Sequence, residues 1–91
     1  MQMYQFKKLL KMLPSEPQVP GIIVTALNEK VEKEATTLLS KTKYPFVTIL
    51  KNDDDEVRTQ KIVDGFVKQI GIGDFDWLTW NCMQTRLSGD E

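Results

Sequence analysis

The chain has 91 residues, 41% of them hydrophobic and 27% charged, the balance of one soluble folded domain with no room for a second core. It has no histidine and one cysteine, Cys82, which excludes His-based triads, His metal sites, an internal disulfide and any multi-cysteine zinc site. The net charge of −1 hides an asymmetry: residues 1–51 carry eight lysines and four acids, while residues 52–91 carry four basic residues and nine acids.

Met3, Phe6, Leu9, Leu10 and Leu13 recur at three- and four-residue spacing with Lys7, Lys8 and Lys11 between them. This pattern predicts a short amphipathic helix over residues 1–13 that stops before Pro14. The same lysines interrupt the only apolar stretch near the start, so no signal-peptide core is expected. No run of about 18 apolar residues exists, so no membrane span is expected and a cytoplasmic protein is. Residues 14–20 hold two more prolines and no apolar pattern, and read as a connector. Ile22 to Leu27 is a nearly uncharged, β-branched run, as expected of a strand covered on both faces.

Asn28 is placed to cap a helix. Glu29, Glu32 and Glu34 lie early in it, where the helix dipole favours negative charge. Val31, Ala35, Leu38 and Leu39 form its apolar stripe. Tyr44-Pro45 breaks it, and Phe46 to Leu50 is a second strand. Strand, helix and strand within about thirty residues make a βαβ unit.

Residues 56–70 fit two descriptions. Val57 to Val63 could pair back as a hairpin strand. Alternatively Ile62, Val63, Phe66, Val67 and Ile70 form one helical face, with Asp54 or Asp55 as cap. The helix is favoured on five matching apolar positions, although Gly65 in its middle costs about 1 kcal/mol. Gly71 would end it in the left-handed conformation. Residues 76–83 fit a third strand or a final helix; the strand is preferred. Residues 88–91 should fray, from about Leu87 onward. The expected architecture is α/β: one domain with an N-terminal helix, a connector and a core at 21–87. That core is a βαβα unit of two or three layers with a short mixed sheet of about three strands.

The order of elements, with Ala35, Leu38-Leu39 and the strand opening at Pro45-Phe46, resembles the first half of a glutaredoxin or thioredoxin-like fold over about residues 21–70. On that resemblance the two redox cysteines fall at Glu29 and Glu32, neither of which forms a thiolate. The Val-Pro turn of the family's glutathione site is missing, and too little chain remains for its terminal hairpin and helix. The resemblance therefore implies a truncated relative without dithiol chemistry. The alternative is an unrelated small βαβ domain.

Asp53-Asp54-Asp55-Glu56 is the most conspicuous cluster. Four carboxylates suit Ca²⁺ or Mg²⁺ in principle, but the ligand spacing and central glycine of an EF-hand loop are missing. A helix-capping turn or a patch facing a basic partner fits better. Ile70-Gly71-Ile72-Gly73 matches the core of a helix-hairpin-helix motif, yet Asp74 and Asp76 would repel phosphate, and a helix cap followed by a turn is preferred. Phe75, Trp77, Trp80 and Met83 read first as core and second as a partner contact. Cys82 among them reads as a small buried hydrophobe. Glu29 and Glu32, one helical turn apart beyond the first strand, are the only candidate acid–base pair.

Together these features predict a protein-binding module without enzymatic activity: an inhibitor, adaptor or regulator, a build also frequent among compact viral and phage effectors. Its expected partner is a protein with a basic surface, met by Asp53, Asp54, Asp55, Glu56, Trp77 and Trp80. A second copy of the chain is another candidate. No catalytic residue, metal or cofactor is expected. A redox-dead glutaredoxin-like protein, a carboxylate-based enzyme, and nucleic-acid binding through the basic first half are the alternatives, the last disfavoured by the overall charge.

Overall fold

A computed structural model describes residues 1–88. In chain order it contains α1 (Met3–Met12), β1 (Ile22–Ala26), α2 (Glu29–Leu39), β2 (Phe46–Leu50), α3 (Asp55–Ile70), α4 (Phe75–Asn81) and β3 (Met83–Leu87). The sheet has the order β2-β1-β3. Both neighbours run parallel to β1, with Ile22 beside Phe46 on one side and Met83 on the other. The sheet is therefore wholly parallel, not mixed as expected.

The α/β architecture, the three strands and the leading helix are as expected. The layers number three. The chain adds β2 on one side of β1, then returns past β1 to add β3 on the other. Two crossovers in opposite directions with one handedness put their helices on opposite faces. Residues of α1 and α2 accordingly share one core with Ile22, Val24, Ala26 and Leu87. Residues of α3 and α4 share the other with Ile23, Val47 and Ile49. That double cover explains the unbroken apolar run of β1, in which only Thr25 escapes full burial.

Local chemistry starts and stops the helices. Asn28 Oδ1 accepts from the Val31 N–H at 3.0 Å to open α2. Asp54 Oδ1 accepts from the Val57 N–H at 2.8 Å to open α3. Residues 56–70 are thus helical, and the hairpin description falls away. Gly71 closes α3 at φ 76°, a conformation open to glycine at no steric cost.

Gly65 also has its reason. A Cβ at that position would overlap Val47 Cγ2, so the missing side chain lets α3 lie close on β2. Val47 is β-branched and stiff in its strand and cannot simply swing away. Gly65→Ala should therefore lower stability by about 1–3 kcal/mol, where an ordinary helical site would gain about 1 kcal/mol. Urea unfolding checks this. In a Val47→Ala background the penalty should vanish, and its persistence there would show that Val47 is not its source.

Two expectations need correction. Residues 75–81 form a helix, not a strand. Phe75, Leu78, Thr79 and Cys82 turn inward while Asp76, Trp77 and Trp80 turn outward, a 3.6-residue period that the aromatic content obscured. The third strand lies later, at Met83–Leu87, and takes in Leu87, where fraying was to begin. Leu87 is buried in the core, and the backbone N–H of Ser88 donates to the Met1 carbonyl at 2.7 Å. The rest of the expected frayed tail, residues 89–91, lies outside the described residues.

Candidate functional site

The acidic run divides by role. Asp53 Oδ2 accepts from Lys61 Nζ at 2.6 Å and from the Leu50 N–H at 3.0 Å. The hydrogen bond from Lys61, then that from Leu50, holds the Asp53 carboxyl below its ordinary range, with lesser help from the charges of Lys61 and Arg58. Asp54 is spent on capping α3. Only Asp55 and Glu56, exposed in the first turn of α3, remain for a partner. Among the described residues no group of three acidic, Cys or His side chains is placed to hold a metal ion.

Trp77 and Trp80 are 43% and 86% exposed, so the core reading of these residues is overturned. They stand one turn apart on the outer face of α4, beside exposed Asp74 and Asp76. The acidic run and Trp80 do not form one patch. Residues 53–56 follow the carboxyl end of β2, whereas Trp80 just precedes the amino end of β3, and the strands are parallel. Of the six residues expected to form one contact surface, the acidic run thus follows the carboxyl end of β2, while Trp80 lies near the amino end of β3.

Cys82 is buried as expected, and burial pushes its thiol pKa up, the reverse of what a nucleophile needs. Glu29 is exposed, and Glu32 accepts a long hydrogen bond from Thr48 Oγ1 at 3.4 Å. Neither lines the cleft described next. No helix of the described residues is long and apolar enough to cross a membrane. On α1, Met3 and Phe6 pack into the core, with Tyr4 and Met12 left outside.

The cleft is at the carboxyl edge of the sheet, where a parallel sheet gathers the ends of all its strands. A cavity of about 290 Å³ opens there among Met1, Thr25, Leu27, Lys51, Arg58, Arg86, Leu87 and Ser88. A second, of about 310 Å³, is also lined by Thr25, Arg58 and Arg86 and lies between Ile49, Ile62 and Phe75. The sequence contains only two arginines, and both line both cavities. Arg58 Nε is buried without a hydrogen-bond partner, which costs about 1–3 kcal/mol or more for a charged group. Among the described residues the one ion pair is Lys61–Asp53, so Lys51, Arg58 and Arg86 have no carboxylate of those residues within ion-pair distance.

Sequence reasoning missed these three residues because they are far apart in the chain and unremarkable where they stand. One signal was available: two arginines against ten lysines, each near the end of an element, in a fold whose sites gather at strand ends. Comparison with family models, characterised proteins and solved structures finds no match for this chain.

Proposed function

We propose that this is a protein-binding module, an adaptor, inhibitor or regulator, whose contact face is the outer side of α4. The observation that supports it most is Trp80, 86% exposed beside the half-exposed Trp77. A short helix that buries only Leu78 has no structural use for two tryptophans in water. Tryptophans anchor protein interfaces because they bury large area with few rotatable bonds. The chemistry around them points to a basic partner. Indole faces attract Arg and Lys side chains, and Asp74 and Asp76 add negative charge beside the rings. Asp55 and Glu56, toward the other edge, contribute to the field that steers such a partner rather than to the same contact. The cytoplasm suits the unpaired, buried thiol of Cys82.

An arginine-rich peptide titrated against the protein tests this, with tryptophan fluorescence as the signal. Saturable binding is expected, weakened about 30-fold by Trp80→Ala. Asp55→Ser with Glu56→Ser should reduce the salt dependence and leave most of the affinity. A titration unchanged by Trp80→Ala would reject α4 as the contact face.

A further inference from the structure

We propose that the cleft at the carboxyl edge of the sheet binds a small phosphate monoester, its phosphate among Lys51, Arg58 and Arg86 and its apolar body between Ile49, Ile62 and Phe75. This site is separate from the outer face of α4 and does not depend on the reading given to that face.

Topology supplies the first support. With β2 added on one side of β1 and β3 on the other, the strand order reverses at the β1–β3 boundary. In open parallel sheets the crevice outside the carboxyl ends at such a reversal is left uncovered by the connections, and ligands bind there. The first cavity is this crevice, lined by Thr25 near the end of β1, by Leu27 just beyond it, and by Arg86, Leu87 and Ser88 at the end of β3.

Charge supplies the second. Three cations, Lys51 just after β2, Arg58 in α3 and Arg86 in β3, line one cavity with no carboxylate in ion-pair distance among the described residues. Arg58 lines both cavities, and its guanidinium has no carboxylate within ion-pair distance among the described residues. Guanidinium groups match the oxygen spacing of a phosphate, and Thr25 and Ser88 line the same cavity, the Ser88 hydroxyl donating to the Met1 carbonyl at 2.8 Å. Asp53, with its carboxylate held by Lys61, does not neutralise Arg58 by contact.

Shape and surroundings set the size and class of ligand. The first cavity holds a single compact group. The second, which shares Thr25, Arg58 and Arg86 with it as lining residues, adds apolar walls from Ile23, Ile49, Ile62 and Phe75. A polar head joined to a flat or apolar body fits both. A long polyanion fits poorly, because Asp54, Asp55 and Glu56 stand exposed just beyond Lys51 and repel its neighbouring phosphates.

Phenyl phosphate, inorganic phosphate and benzyl alcohol, each titrated while amide resonances are followed by NMR, separate the parts. Phenyl phosphate should saturate, with shifts centred on Thr25–Leu27, Lys51, Arg58 and Arg86–Ser88. Inorganic phosphate should shift the same amides about tenfold more weakly, and benzyl alcohol should not saturate. Arg58→Gln and Arg86→Gln should each weaken phenyl phosphate by about tenfold or more. Lys33→Gln, on α2, should not change it. Arg86 is exposed, so its variant keeps the test decisive even if Arg58→Gln impairs folding. Non-saturating shifts spread over surface lysines would overturn the proposal, as would an affinity unchanged from the parent protein in both arginine variants. A single-stranded oligonucleotide that binds more tightly than phenyl phosphate through the same arginines would reassign the cleft to nucleic acid.

Discussion

Phe66→Ala is expected to destabilise the protein by about 3–5 kcal/mol. Phe66 is fully buried on the inner face of α3. Its ring lies against Gly21, at the entrance to β1, so closely that a Cβ on Gly21 would overlap Cε1. The ring thus bridges α3 to the start of the central strand, within the core formed with Ile23, Val47, Ile62 and Leu78. Removing it leaves a void that backbone on one side and β-branched side chains on the other cannot collapse into. A domain of this size has only about 5–15 kcal/mol of stability to lose, so partial unfolding at room temperature is the expected result. Urea denaturation followed by far-UV circular dichroism measures it. Phe66→Leu, which keeps most of the volume, should cost far less. A loss below about 1 kcal/mol for Phe66→Ala would mean that α3 is not packed on β1 through this ring.

Leu87→Ala should cost about 2–5 kcal/mol, although Leu87 is only four residues from the end of the sequence. Its side chain is 1% exposed and shares the core of α1 and α2 with Phe6, Ala26 and Leu39. Its carbonyl accepts from the Leu27 N–H at 3.0 Å, and its strand is paired with the whole of β1. The unfolding midpoint in urea should fall, and amide exchange at Leu27 should accelerate with it. If the variant stays within about 0.5 kcal/mol of the parent and Leu27 exchanges freely in both, β3 is a frayed end and the sheet has two strands. The cleft would then lose Arg86 from a fixed position. The same measurement therefore bears on the proposed phosphate site.

The first half of the chain was legible because each element announces itself locally. Val31, Ala35 and Leu39 repeat at helical spacing behind a capping Asn28, and Ile22 to Ala26 is an apolar run too short for a helix and too continuous for an exposed strand. The Gly65 conflict was visible as a local cost, but its compensation was not, since Val47 is eighteen residues away and comes close only when α3 lies on β2. Residues 75–87 misled for a related reason. Trp, Phe and Thr have strand propensity, while the inward positions Phe75, Leu78, Thr79 and Cys82 become recognisable as one face only when Asp74 is seen capping the Trp77 N–H at 3.0 Å. Met83 to Leu87 alternates apolar and polar residues, yet its third position is Thr85 and its length is five. So short a segment at the end of a chain is held by its neighbours, not by its own preference.

Of the candidate contact residues, the sequence marked the acidic run and the tryptophans by composition, and it could not divide them. Lys61 removes Asp53 from the surface, capping occupies Asp54, and the parallel direction of β3 separates Trp80 from both. The sequence by itself determined the α/β class, the positions of α1, β1, α2 and β2, and the exclusion of histidine and disulfide chemistry, because these follow from residue types and spacings within a few turns, while residues 56–70 favoured a helix and kept a hairpin strand open. Tertiary structure alone decided that β3 runs parallel beside β1, that Trp77 and Trp80 face outward, and that Lys51, Arg58 and Arg86 meet in one cleft. Those outcomes depend on which face of the sheet each crossover covers, and that is settled by packing between segments distant in the chain.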